Sequence, residues 1–185
     1  MPSQQTTQTP QTTTWTIDPV HSRAEFAVRH LMISTVRGTI PLRSATIVRD
    51  EGDITKSRVE AELDVTSITT HAADRDAHLR SADFFDVAQH PSMRFRSTRV
   101  EQEGDGLRVH GELTIRGTTR PVVLDVEILG EAKDPWGNEK AAASATTSFD
   151  RRDFGLTWNA ALETGGVLVA DKVKVQLDLQ FVKAA

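Results

Sequence analysis

The stretch Val173 to Phe181 constrains this chain more than any other: Val173, Val175, Leu177, Leu179 and Phe181 alternate with Lys174, Gln176, Asp178 and Gln180. Successive side chains of a β-strand point to opposite faces, so this period leaves one face wholly apolar and the other wholly polar. The same alternation sets Val59, Ala61, Leu63 and Val65 against Glu60, Glu62 and Asp64. It also sets Leu107, Val109, Leu113 and Ile115 against Arg108, His110, Glu112 and Thr114. Strands of this kind form antiparallel sheet with one side in water.

Turn signals punctuate the pattern: Asp50-Glu51-Gly52-Asp53, Glu103-Gly104-Asp105-Gly106, Arg116-Gly117-Thr118, Asp134-Pro135-Trp136-Gly137-Asn138 and Gly165-Gly166. Neighbouring strands are therefore joined as hairpins. Strands are expected near 22–30, 36–49, 57–68, 93–102, 107–116, 120–132, 140–150 and 171–182. A run of eleven residues spans about 36 Å, and open edges of that length invite aggregation. Closing the sheet removes them. The chain is therefore read as all-β with one or two short helices, an extended eight-stranded antiparallel β-barrel. An interior of that size is either filled by side chains or holds one slender ligand.

One segment departs from period two. Residues 72–82 are Ala-rich, place Asp76 four before Arg80, and read as a short helix with Leu79 as its main apolar residue. Phe84 and Phe85 follow directly and suit a plug for a barrel mouth.

Composition narrows the function. The 185 residues make one domain. Lys and Arg number 22 against 26 Asp and Glu, a net charge of −4, which disfavours nucleic acid as a partner. Cysteine is absent, so thiol catalysis and Cys-rich metal sites are excluded. Residues 1–14, rich in Gln and Thr and free of charge, read as a flexible tail ahead of a domain over 15–183. No stretch has the basic start and apolar run of a secretory signal, and none reaches the roughly 18 apolar residues of a membrane-spanning helix. A cytoplasmic protein that does not span a membrane is the expectation.

Several polar clusters suggest chemistry. His71, Asp74 and His78 stack on one face if the helix includes His71, and two imidazoles with a carboxylate are zinc ligands. That arrangement would suit a metal-dependent hydrolase or isomerase; an exposed helix with a His–carboxylate contact is the simpler reading, since the HExxH context is missing. Arg75, Asp76 and His78 suit either a polar head group at the barrel mouth or a salt bridge between helix and rim. Arg151-Arg152-Asp153-Phe154-Gly155, ahead of Trp158, suits an anchored turn or an anion contact. His21-Ser22 begins the first strand. His30 ends it, sharing a face with Ala24, Phe26 and Val28. The GxSxG elbow, the phosphate-cradling GxxxxGK[ST] loop and the GxGxxG fingerprint are missing. A packed barrel serving as a protein-interaction module remains the third alternative.

Taken in order, Trp15-Thr16-Ile17-Asp18, His21-Ser22, His30, the run Asp74 to Phe85, His90-Pro91, Phe95, Gly111 to Gly117 and Arg152-Asp153-Phe154-Gly155 closely resemble the YceI-like polyisoprenoid-binding proteins. The likeness covers residues 15–182. It implies a lipocalin-like barrel that binds a long isoprenoid or similar amphiphilic lipid, a polyprenyl phosphate or an isoprenoid quinone, without catalysis, cofactor or metal, often as a homodimer. The candidate ligand-binding residues are then His21, Phe26, His30, Arg75, Asp76, His78, Leu79, Phe84, Phe85, Arg152, Phe154 and Trp158. Arg75, His78, Arg152 and His30 are the head-group donors among them. Many members of this family carry a secretory leader, and this sequence shows none. It also lacks tyrosine, so no tyrosine contact carries over.

Overall fold

A computed structural model describes residues 11–185. Ten strands follow in chain order: β1 (Thr12–Ile17), β2 (Arg23–His30), β3 (Ser34–Thr39), β4 (Leu42–Asp50), β5 (Arg58–Asp64), β6 (Ser92–Glu103), β7 (Gly106–Ile115), β8 (Thr118–Lys133), β9 (Glu139–Asp150) and β10 (Val169–Lys183). One α-helix, α1 (Ala73–Arg80), lies between β5 and β6.

The ten strands make eight walls of a closed antiparallel barrel. β10 carries β9 along one edge. Its other edge is shared by β2, which pairs from Val169 to Asp178, and β1, which pairs from Phe181 to Lys183. β1 and β2 are thus one wall, broken by a 3-10 turn at Pro19–His21 whose first N–H group is capped by Asp18. β3 and β4 form the adjacent wall, and β1 closes the ring by pairing with β4. A continuous strand over 36–49 is therefore corrected: Pro41 has no N–H for the ladder, and the wall breaks at Ile40–Pro41. The wall expected over 57–68 likewise ends at Asp64. That residue caps a 3-10 turn over Val65–Ser67 by accepting from the Thr66 N–H. Thr12–Thr14, assigned above to the tail, are paired in β1, and the Gln11 carbonyl accepts from the Glu51 N–H; the rest of that assignment, residues 1–10, lies outside the described residues.

The alternation now has a direction. Val59, Ala61 and Leu63 of β5, Leu113 and Ile115 of β7, and Val173 to Phe181 of β10 all face inward, while their charged neighbours pair on the outer surface, as Arg43 does with Glu62. Two apolar clusters form the inner walls. The larger joins Ile68, Phe95, Val109, Ile115, Phe154 and Leu156. The smaller joins Trp15, Ala45 and Phe181. Its outer side is sealed by Arg49, whose guanidinium lies 5.1 Å from the centre of the Trp15 ring and pairs with Glu51 and Glu131. Among the described residues no helix is long and apolar enough to cross a membrane.

Candidate ligand-binding site

Inside these walls the barrel is hollow. A cavity of about 540 Å³ runs through its axis, within the range of sites that enclose small molecules. Its wall is almost entirely aliphatic and aromatic. Along β10 the lining residues extend from Val169 to Phe181, about 40 Å of strand path. The interior is therefore not solid, as the packed-barrel alternative would have it.

The cavity reaches the surface where Arg29, Asp74 and Arg75, all exposed, join its lining. α1 forms one side of this mouth, and its attachment explains residues that the sequence alone left ambiguous. The Asp76 carboxylate accepts from the Thr70 N–H at 2.7 Å, from the Thr70 hydroxyl and from the Thr69 hydroxyl at 3.1 Å. Burial pushes the Asp76 carboxyl up, but the hydrogen bonds from Thr70 and Thr69 outweigh it and hold the group below the usual carboxylate range. Arg75 Nε donates to the Thr70 hydroxyl at 2.7 Å, and Arg80 Nε donates to the Thr66 carbonyl at 3.0 Å. The helix is therefore pinned to the segment after β5 by its polar face, and Leu79 is left pointing into the cavity.

An aromatic cluster completes the rim. The His78 ring meets Trp158 edge-on at 4.6 Å and Phe84 at 5.0 Å, and its Nε2 is 2.8 Å from Asp83 Oδ2. Arg151, buried to 3 % exposure, ties the loop carrying Trp158 to the start of β10: Nη1 donates to the Leu156 and Trp158 carbonyls at 2.6 and 2.9 Å, and Nε to the Ala170 carbonyl at 3.0 Å. Nothing in the sequence distinguishes this arginine from its neighbour Arg152.

Of the candidate residues, Phe26, His30, Arg75, His78, Leu79, Phe84, Phe85 and Trp158 line the cavity. Four do not. His21 is exposed on the 3-10 turn between β1 and β2, bonded to Asp18 at 2.9 Å. Asp76 faces Thr70 rather than the opening. Arg152 turns outward onto Asp150 and Asp171. Phe154 is fully buried against Phe149, with ring centres 5.1 Å apart, behind the cavity wall. The zinc arrangement is also corrected. α1 begins at Ala73, and His71 sits ahead of it with a left-handed φ of 60°, so the three side chains do not share a helical face. Among the described residues no group of three metal-ligating side chains converges.

A family model described as the YceI-like domain matches residues 15–181. The chain belongs to the YceI-like family. Its YceI relatives include a protein of Salmonella newport, 37% identical over 137 residues that cover 74% of this chain and 72% of the relative. A UPF0312 protein of Serratia proteamaculans is 38% identical over 137 residues, 74% of this chain and 71% of its own. Among solved structures, the YceI protein of Campylobacter jejuni superposes with a TM-score of 0.71 at 28% identity, over 85% of this chain and 90% of that one. BcnA of Burkholderia cenocepacia shares the fold at a TM-score of 0.77 and 19% identity, over 89% and 98% of the two chains. A polyisoprenoid binding domain from Saccharophagus degradans shares it at 0.64 and 13%, over 92% and 98%. Within this YceI-like barrel, the polar residues of the mouth are mostly engaged already. Arg29 donates to the Met32 carbonyl, Arg75 to Thr70 and Arg151 to backbone carbonyls, whereas the His30 ring makes no hydrogen bond among the described residues.

Proposed function

We propose that this YceI-like protein binds a long isoprenoid or similar amphiphilic lipid inside the barrel and carries or stores it without chemical change. The observation that carries this reading is the almost wholly apolar cavity of about 540 Å³ inside the barrel. Apolar surface removed from water contributes about 25 cal/mol per Å², so such a wall holds a hydrocarbon tail firmly with few directional contacts. The neighbour described as a polyisoprenoid binding domain supports the same ligand class. A phosphate or quinone head needs donors, because burying it unpaired costs several kcal/mol. His30, with its ring nitrogens uncommitted, and the outer face of Arg75 supply them at the mouth, and His78 stands beside them. Among the described residues that line the cavity, none pairs a nucleophile with a base, which favours binding over catalysis.

Native mass spectrometry of the protein purified without detergent tests the reading, and a co-purifying lipid mass is expected. Titration with geranylgeranyl phosphate should change the fluorescence of Trp158, the tryptophan at the rim, and Trp158→Phe should remove most of the change, since Trp15 is buried and Trp136 is 84% exposed away from the cavity. A uniformly empty protein that binds neither prenyl phosphates nor quinones overturns it.

A further inference from the structure

The hairpin joining β2 to β3 carries Leu31, Met32 and Ile33 at its tip, all exposed, Ile33 to 79%. Exposed Val167 stands next to them, because the Leu31 N–H donates to the carbonyl of Leu168 at 2.9 Å. Single apolar residues scattered over a surface are ordinary, whereas four meeting at one point mark a contact. That point adjoins the mouth. His30, which precedes the tip, and Leu168, which accepts its hydrogen bond, both line the cavity.

The turn itself sharpens the case. The Ile33 N–H donates to the His30 carbonyl at 3.2 Å, and the two central residues, Leu31 and Met32, have φ of 53° and 59°. Two successive left-handed residues are the hairpin geometry for which Asn-Gly is favoured, and a side chain with a Cβ meets a steric penalty there. Folding alone therefore argues against Leu-Met at these positions. Arg29 holds the tip in place by donating from Nη2 to the Met32 carbonyl at 2.9 Å.

We propose that the Leu31–Ile33 tip, with Val167, inserts into the surface of a lipid bilayer and sets the cavity mouth against it, so that a lipid tail passes between membrane and barrel without crossing water. This rests on the lipid-binding reading above. A bilayer is the occupant because the tip is small, aliphatic and without a hydrogen-bonding side chain, as bilayer insertion requires. It also lies where a membrane lipid has to arrive. A stable protein partner would need roughly 20 to 30 residues on each side, far more than these four.

Two variants test it by flotation with phosphatidylcholine vesicles and by transfer of a dansyl-labelled geranylgeranyl lipid out of them. The wild-type protein is expected to float at low and high salt alike, since apolar insertion is not screened. Ile33→Asp should weaken vesicle binding and slow transfer by about tenfold or more. The double change Leu31→Asn with Met32→Gly supplies the residues the turn favours, so it should raise the thermal midpoint while it lowers vesicle binding. Opposite signs in one variant separate docking from misfolding. Both variants should take up the same probe as well as wild type when it is added from ethanol without vesicles. A wild-type protein that stays with the unbound fraction, or variants that extract at the wild-type rate, overturns the proposal. A wild-type protein that floats but takes up no probe from solution overturns the carrier reading and leaves docking supported.

Discussion

The Phe26 ring occupies the space that a side chain on Gly38, its directly paired partner on β3, would need. A Cβ at Gly38 would stand 2.7 Å from Phe26 Cε1 and 2.8 Å from the Thr69 carbonyl oxygen, and the latter, being backbone, cannot swing aside. Gly38→Ala is therefore expected to destabilise the barrel by about 1 to 3 kcal/mol and to push Phe26 off the cavity wall. Denaturant unfolding measures the first effect and ligand affinity the second. Gly52→Ala is the control: the nearest atom to its Cβ is at 3.5 Å, an ordinary contact, and unfolding should be nearly unchanged.

Ala61 lies midway along the channel, packed against both apolar clusters and paired with Ala45 and Phe95. Ala61→Trp projects an indole into open space, so stability should change by less than about 1 kcal/mol while ligand uptake is abolished. Val109→Trp, in the solid part of the core, should instead cost about 1 to 3 kcal/mol. Equal destabilisation by the two changes would contradict a hollow centre.

Asp76 provides the anchor of α1. Asp76→Ala leaves the buried Thr70 N–H and hydroxyl without their acceptor, at a cost of about 1 to 3 kcal/mol, and Asp76→Asn, which keeps one oxygen, should cost less. Amide hydrogen exchange across Ala73–Arg80 should accelerate in Asp76→Ala more than anywhere else in the chain.

Acid should weaken the break between β1 and β2. The His21 imidazole, by its hydrogen bond, holds the Asp18 carboxyl down to about 2, with Val20 and Lys140 adding to the effect. An unfolded aspartate titrates near 3.9. A carboxyl depressed in the folded state contributes stability that is complete above the unfolded value and fades as pH falls through the folded one. Thermal midpoints of wild type and Asp18→Asn should therefore differ most above pH 4 and converge as pH approaches 2.

Strand-by-strand alternation was enough to read the closed barrel, since period two places each side chain by arithmetic alone. It did not reveal β1, since the first strand was expected only from residue 22, nor the interruption at Pro41, because a broken wall keeps its pairing partners and the apolar face resumes beyond the gap. The mouth was only half legible. Phe84, Phe85 and His78 sit where a short helix followed by aromatics places them, but Asp76 and Arg75 turned on hydrogen bonds to Thr70, a residue that no pattern singles out. Arg151 and Arg152 illustrate the limit most plainly: they are adjacent and identical in kind, yet one is sealed inside as a brace between loops and the other points into water. The difference comes from the turn that places them, with Gly155 in its left-handed closing position at φ 76°.

An inner wall offering almost nothing to hydrogen-bond works as a gauge and not as a reader. Such a wall sorts an apolar guest by girth and length, and it does not respond to the order of double bonds or branches along a tail. If a lipid occupies this interior, discrimination among ligands falls to the few side chains at the rim, so exchange of His30, whose ring is bonded to nothing among the described residues, changes which head group is held while the scaffold beneath stays the same.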